Sequence, residues 1–119
     1  MKTKLLGRWG EDLALRYLKK EKYTPVSMGY RSRFGEIDII VKDKNFIVFV
    51  EVKLRKNGKF AEAREFVDKR KQQRIKDTAQ IWLSVNETDL QPRFDVIEIY
   101  APDGAATENP EINHIENAF

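Results

Sequence analysis

The sequence predicts an α/β fold of order αβββαβ, a sheet flanked by helices. Three observations predict it. An amphipathic segment with helical periodicity opens the chain, two short apolar runs separated by a polar quartet follow, and a second helical pattern precedes one more apolar run. With 119 residues, 41% of them hydrophobic, residues 1–119 suit one domain around a core that needs no staples.

Residues 3 to 21 form the first helix. At about 100° per residue, Leu6, Trp9, Leu13, Ala14, Tyr17 and Leu18 share one arc, and Arg8, Asp12, Arg16 and Lys19 lie opposite. Glu11 falls at the edge of the apolar arc, so its carboxylate faces the protein more than the solvent. Tyr23 to Arg33 reads as extended around Pro25 and Gly29, and Phe34-Gly35 signals a turn. Ile37-Asp38-Ile39-Ile40-Val41 and Phe46 to Val52, separated by Lys42-Asp43-Lys44-Asn45, read as a hairpin. Both runs are apolar on both faces, the mark of central strands. A charged loop with Asn57-Gly58 leads into a helix from about Ala61 to Val85 that turns Val67, Ile75, Ala79 and Trp82 to the core. Arg93 to Tyr100 is the last strand, and residues 101–111, with two Pro and a Gly, form a loop before a short tail.

The absence of Cys excludes disulfides, thiolate metal sites and a Cys nucleophile, and His114 alone cannot build a multi-His site. Any metal must rely on carboxylates, carbonyls and water, which points to Mg²⁺ or Mn²⁺ rather than Zn²⁺. No apolar run approaches the roughly 20 residues of a membrane span, and Met1-Lys2-Thr3-Lys4 leads into a charged helix rather than an export segment. The expected location is the cytoplasm, with no membrane partner. The net charge of +3 hides an asymmetry: residues 1–52 carry +4, residues 53–76 carry +7 and residues 77–119 carry −8. A basic block confined to one stretch, Lys53 to Lys76, suits a nucleic-acid surface; a solvated helix face is the competing reading. Arg31 and Arg33 before the hairpin, with Arg55, Lys69, Lys71 and Arg74 in the block, are the candidate nucleic-acid contacts.

Asp38, Glu51 and Lys53 are charges inside the two most hydrophobic strands. An ionised group there costs several kcal/mol unless it is paired or bound to a metal. The two-residue period puts Glu51 and Lys53 on one face of their strand, with Val50 and Val52 on the other. A short even loop sets Asp38 opposite Phe49 and diagonal to Glu51, and a register shifted by two residues sets Asp38 directly opposite Glu51. An odd-length loop separates the two acids across the sheet. Two carboxylates on one face repel, a divalent cation removes the conflict, and a neighbouring ammonium offsets phosphate charge; the set suits metal-assisted hydrolysis of a phosphodiester. A cross-strand ion-pair network is the alternative. Glu36 reads as a rim partner of Lys53 or Arg55, while Asp95 and His114 read as structural.

Asp38 followed by Glu51-x-Lys53, on the second and third strands of this order, resembles the PD-(D/E)XK nuclease superfamily. The motifs Gly7-x-x-Gly10-Glu11-x-x-Ala14, Gly35-Glu36-Ile37-Asp38, Phe49-Val50-Glu51-Val52-Lys53, Arg93-Phe94-Asp95-Val96 and the ending His114-Ile115-Glu116-Asn117-Ala118-Phe119 resemble, more closely, the small bacterial YraN-like family. The resemblance implies a restriction-endonuclease-like fold with a central mixed sheet, close to archaeal Holliday junction resolvases. It implies Asp38 and Glu51 as metal ligands with the Val52 carbonyl as a third, Lys53 as the catalytic lysine, and Glu11 as the acid of the first helix. Ile37 stands where the superfamily usually has Pro. The implied activity is an Mg²⁺- or Mn²⁺-dependent endonuclease acting on DNA, with branched or junction DNA among the substrates the resemblance implies; cutting a junction needs two sites and so implies a homodimer. Two other readings stand beside it. One is a nucleic-acid-binding module whose catalytic site is vestigial or partner-dependent. The other is an interaction protein in which buried charges only fix strand register.

Overall fold

The computed structural model describes residues 4–56 and 67–119. Its elements are α1 (Lys4–Lys20), β1 (Thr24–Ser32), β2 (Gly35–Lys42), β3 (Phe46–Arg55), α2 (Lys69–Val85), β4 (Gln91–Tyr100), a 3-10 turn (Gly104–Ala106) and β5 (Glu111–Ile115). The expected order is present, with one strand more. The sheet runs β1-β2-β3-β4-β5; only β3 and β4 are parallel, which makes it mixed. This α/β arrangement is compatible with a restriction-endonuclease-like core.

Strand alternation divides the core in two. Val48, Val50 and Val52 of β3 join Ile39 and Val41 of β2 and Ile97 and Ile99 of β4 against Ala14 and Leu18 of α1. Ile47 and Phe49 of β3 join Ile40 and Val96 against Ile75, Ala79 and Trp82 of α2. Glu51 and Lys53, two and four residues beyond Phe49, therefore lie on the α2 side; Asp38 lines the same cavity with them, at an end of β2 where Ile37 as well as Ile40 joins the α2-side core and strict alternation breaks. Within α1, Ala14 and Leu18 are fully buried, while Arg8, Asp12, Arg16 and Lys19 are exposed. A Cβ on Gly10 would come within 2.9 Å of Leu54 Cδ2, so glycine lets α1 lie close on the end of β3.

Two boundaries differ from the sequence reading. The helix expected from Ala61 begins at Lys69: Val67 and Asp68 are non-helical, and Asp68 caps the helix by accepting a hydrogen bond from Lys71 N at 2.8 Å. Val67 is buried as expected, but ahead of the helix. The expected loop with Asn57-Gly58 and the stretch from Ala61 to Phe66 lie outside the described residues. The tail expected after residue 111 is an edge strand instead, pairing antiparallel with β4 from Tyr100↔Glu111 to Val96↔Ile115. It is short, and none of its residues is fully buried, so it carries little of the apolar signal that marks a central strand. No helix among the described residues is long and apolar enough to cross a membrane.

Candidate functional site

The site begins where β2 and β3 part. Their ladder runs from Lys42↔Ile47 to Ile39↔Val50, and the next pair in that register is Asp38 opposite Glu51. This is the shifted register, the one that brings the acids face to face. Beyond Ile39 the Asp38 side chain stands in for strand backbone: its Oδ2 accepts the Val52 N–H at 2.9 Å. Both acids are nearly buried, Asp38 at 7% and Glu51 at 4% exposure. Glu11, half-buried on α1, reaches the same place from the other side of the sheet. One carboxylate oxygen each from Glu11, Glu36 and Asp38 lie within 4.8 Å of one another.

Asp38 and Glu51 line a cavity of about 650 Å³ with Phe34, Glu36, Lys53, Lys71 and Arg74. One wall is the β1–β2 turn and the other is the first turns of α2. The expected lysine, Lys53, is half-buried on the floor beside Glu51. A second lysine, Lys71, ion-pairs through Nζ with Glu51 Oε2. The sequence reading takes Lys71 for a nucleic-acid contact on the helix surface, and its Glu51 contact draws it into the acid cluster. Lys69, Arg70 and Lys71 crowd the first turn of α2, where the helix dipole disfavours cations and no acid is present. That misplacement is the signal by which Lys71 stands out.

The other candidate contacts separate. Arg33 and Arg74 are exposed at the cavity mouth or beside it, and Lys69 is exposed on α2. Arg31 Nε donates to Glu36 Oε2 at 2.6 Å, which makes Arg31 a rim partner of Glu36. Arg55 is held against the sheet by fully buried Glu98, with Nε 2.7 Å from Oε2, and its side chain stays partly exposed. Glu98 is the lateral neighbour of Lys53 on β4 and goes unnoticed in the sequence reading. The signal that would have found it is the one that marks Asp38 and Glu51, a charge inside an apolar strand. Asp95 and His114 lie on the α1 side, in a network with Arg93.

Burial pushes the Glu51 carboxyl up to about 7, the facing Asp38 adds to the shift, and Lys71 partly offsets it. Without a cation, the folded chain therefore keeps a proton at Glu51 that the unfolded chain has already released. This group favours the folded state fully below pH 4.5, and that advantage is lost as pH rises to about 7, up to about 3 kcal/mol. Asp38→Asn, which removes the facing charge, should flatten the slope. Urea melts in EDTA across that pH window check it, and equal slopes for both proteins would remove Asp38 as a cause.

Comparison with known proteins points one way. The family model described as "Uncharacterised protein family UPF0102" matches residues 10–99. The chain is 44% identical over 118 residues to the UPF0102 protein of Caldanaerobacter subterraneus subsp. tengcongensis, covering 98% of this chain and 95% of that one. It is 43% identical over 114 residues to the UPF0102 protein of Thermodesulfovibrio yellowstonii, covering 96% and 95%. Against the UPF0102 protein of Alkaliphilus oremlandii it is 44% identical over 120 residues, covering 98% and 99%.

Proposed function

We propose that this chain, which belongs to the uncharacterised protein family UPF0102 (YraN-like), is a metal-dependent nuclease that hydrolyses phosphodiester bonds in DNA. The observation that carries the reading is the crowding of acids: Asp38 faces Glu51 where the ladder opens, with Glu11 and Glu36 beside Asp38. Carboxylates so placed repel, and a donor set made only of oxygens fits Mg²⁺ or Mn²⁺. Asp38 and Glu51 would hold the ion, with Glu11 and the Val52 carbonyl as further donors. When bound, it supplies Lewis-acid charge to a phosphoryl centre.

The chain's own groups supply the rest. The Lys53 ammonium binds an oxygen of the scissile phosphate and holds the attacking water in line. Arg74 and Arg33 at the mouth bind flanking phosphates, which gives binding a dependence on salt. Lys71 supports Glu51 in its ionised form through their ion pair. The same pair favours a second reading, a DNA-binding module in which Lys71 takes the place of a cation.

Labelled branched, single-stranded and duplex DNA incubated with the protein separates the two. The nuclease reading expects at least one substrate to be nicked in Mg²⁺ or Mn²⁺ and none in EDTA. Binding with no nicking of any substrate in either metal favours the module.

A further inference from the structure

We infer that Phe34 is a stacking platform for an unpaired DNA base next to the scissile phosphate, so that the substrate carries a single-stranded nucleotide at the cut. This rests on the nuclease reading above and names its substrate class. Phe34 is a large apolar side chain left 40% exposed on the wall of the acid-lined cavity. Its exposure does not come from a loose loop. Ser32 Oγ accepts the Phe34 N–H at 3.0 Å and lies 2.8 Å from Oγ1 of fully buried Thr78 on α2. Gly35 seats the turn against the same helix, where an added Cβ would lie 3.4 Å from Arg74 Cβ. The ring is thus presented from a backbone fixed at both the strand and the helix.

A fixed aromatic beside a phosphate-binding site suits nucleobase stacking, because every base offers a π-face and little ordering entropy remains to be lost. The Arg33 guanidinium lies over one face of the ring, 4.9 Å from its centroid, which sets a cation beside the place of a base stacked on the ring. A paired base has both faces covered by its neighbours and cannot reach such a ring without leaving the helix. The cavity, at about 650 Å³, is of the size that takes a single small ligand, room for one nucleotide rather than a duplex.

The test measures binding without cleavage, by fluorescence anisotropy of labelled single-stranded and blunt duplex DNA in EDTA. Phe34→Ala should weaken single-strand binding by about 5- to 150-fold, the range one stacked base supplies. It should leave duplex binding within about twofold of wild type, since no stacking is lost there. Phe34→Trp, which keeps a stacking face, should retain the single-strand affinity. Equal single-strand affinity in Phe34→Ala and wild type, or equal losses on both DNAs, overturns the inference while the nuclease reading stands on its metal-dependent nicking. If the wild-type protein binds neither DNA, both fail. A thermal melt of Phe34→Ala that matches wild type shows that the side chain acts on DNA and not on folding.

Discussion

Lys53→Ala lowers the single-turnover rate of DNA cleavage by about 10²- to 10⁴-fold, the range lost when a positioned group that acts on the transition state is removed. The expectation follows from placement. Lys53 stands two residues past Glu51 on the same face of β3, half-buried, on the floor of the cavity that the acids line. Beside it on β4 lies fully buried Glu98, already engaged by Arg55. A half-buried ammonium there would meet a phosphate oxygen at a lower local dielectric than a surface lysine does. Lys53→Arg should not restore the rate, because a guanidinium is larger, planar and more weakly hydrated than the point charge it replaces. Metal affinity should stay near wild type in both variants, which sets a lysine that acts on substrate apart from residues that hold the ion. A variant that cleaves as fast as wild type removes Lys53 from the chemistry.

Asp95→Ala destabilises the fold by about 3–5 kcal/mol, the cost of leaving one partner of a buried pair without the other. Asp95 is fully buried and accepts four hydrogen bonds: from Arg93 Nε at 2.9 Å, Arg93 Nη2 at 2.8 Å, His114 Nε2 at 2.7 Å and Asn117 N at 3.0 Å. The network continues from His114 Nδ1 to the Tyr17 hydroxyl of α1 at 3.0 Å, and from Arg93 Nη2 to the Tyr23 hydroxyl at 2.7 Å. It fastens α1 and the last residues of the chain to β4. Without Asp95, the nearly buried Arg93 keeps its polar contacts to Tyr23 and Glu116 and its place over the Phe46 ring, but loses the carboxylate that neutralises it from within the sheet. A small domain has a total stability of about 5–15 kcal/mol, so the loss should lower the melting temperature by roughly 10–20 °C. Burial alone would raise the Asp95 carboxyl, but the bonds from His114, Arg93 and the Asn117 N–H outweigh it and hold it below its ordinary value. Its stabilisation is therefore complete above pH 3.8 and is lost as pH falls through the lowered value, a window below that of Glu51. An Asp95→Ala protein that melts like wild type yet no longer cleaves would instead make Asp95 part of the site.

Much of this was legible from residue order because the site breaks the pattern of its strands. Asp38, Glu51 and Lys53 announce themselves as charges where Ile, Val and Phe dictate burial, and side-chain period fixes their face. The register was legible only to within a two-residue shift, since either even loop satisfies the same hydrophobic pattern. Glu11 is visible at the edge of an apolar arc, but its meeting with Asp38 depends on how α1 docks on the sheet. Lys71 and Glu36 belong to the acid cluster through tertiary placement of α2 and the β1–β2 turn, which no local period encodes. The edge strand β5 does not stand out from a tail in the sequence because a half-covered strand of mixed polarity carries little periodic signal.

Titration calorimetry with Mn²⁺ tests the shared cation site most directly. Wild-type protein and Lys53→Ala should show saturable binding by millimolar Mn²⁺, and Asp38→Asn and Glu51→Gln should each lose it while remaining folded. Absence of Mn²⁺ binding to the wild type, or unchanged binding in Asp38→Asn, would contradict the assignment of these acids to one ion.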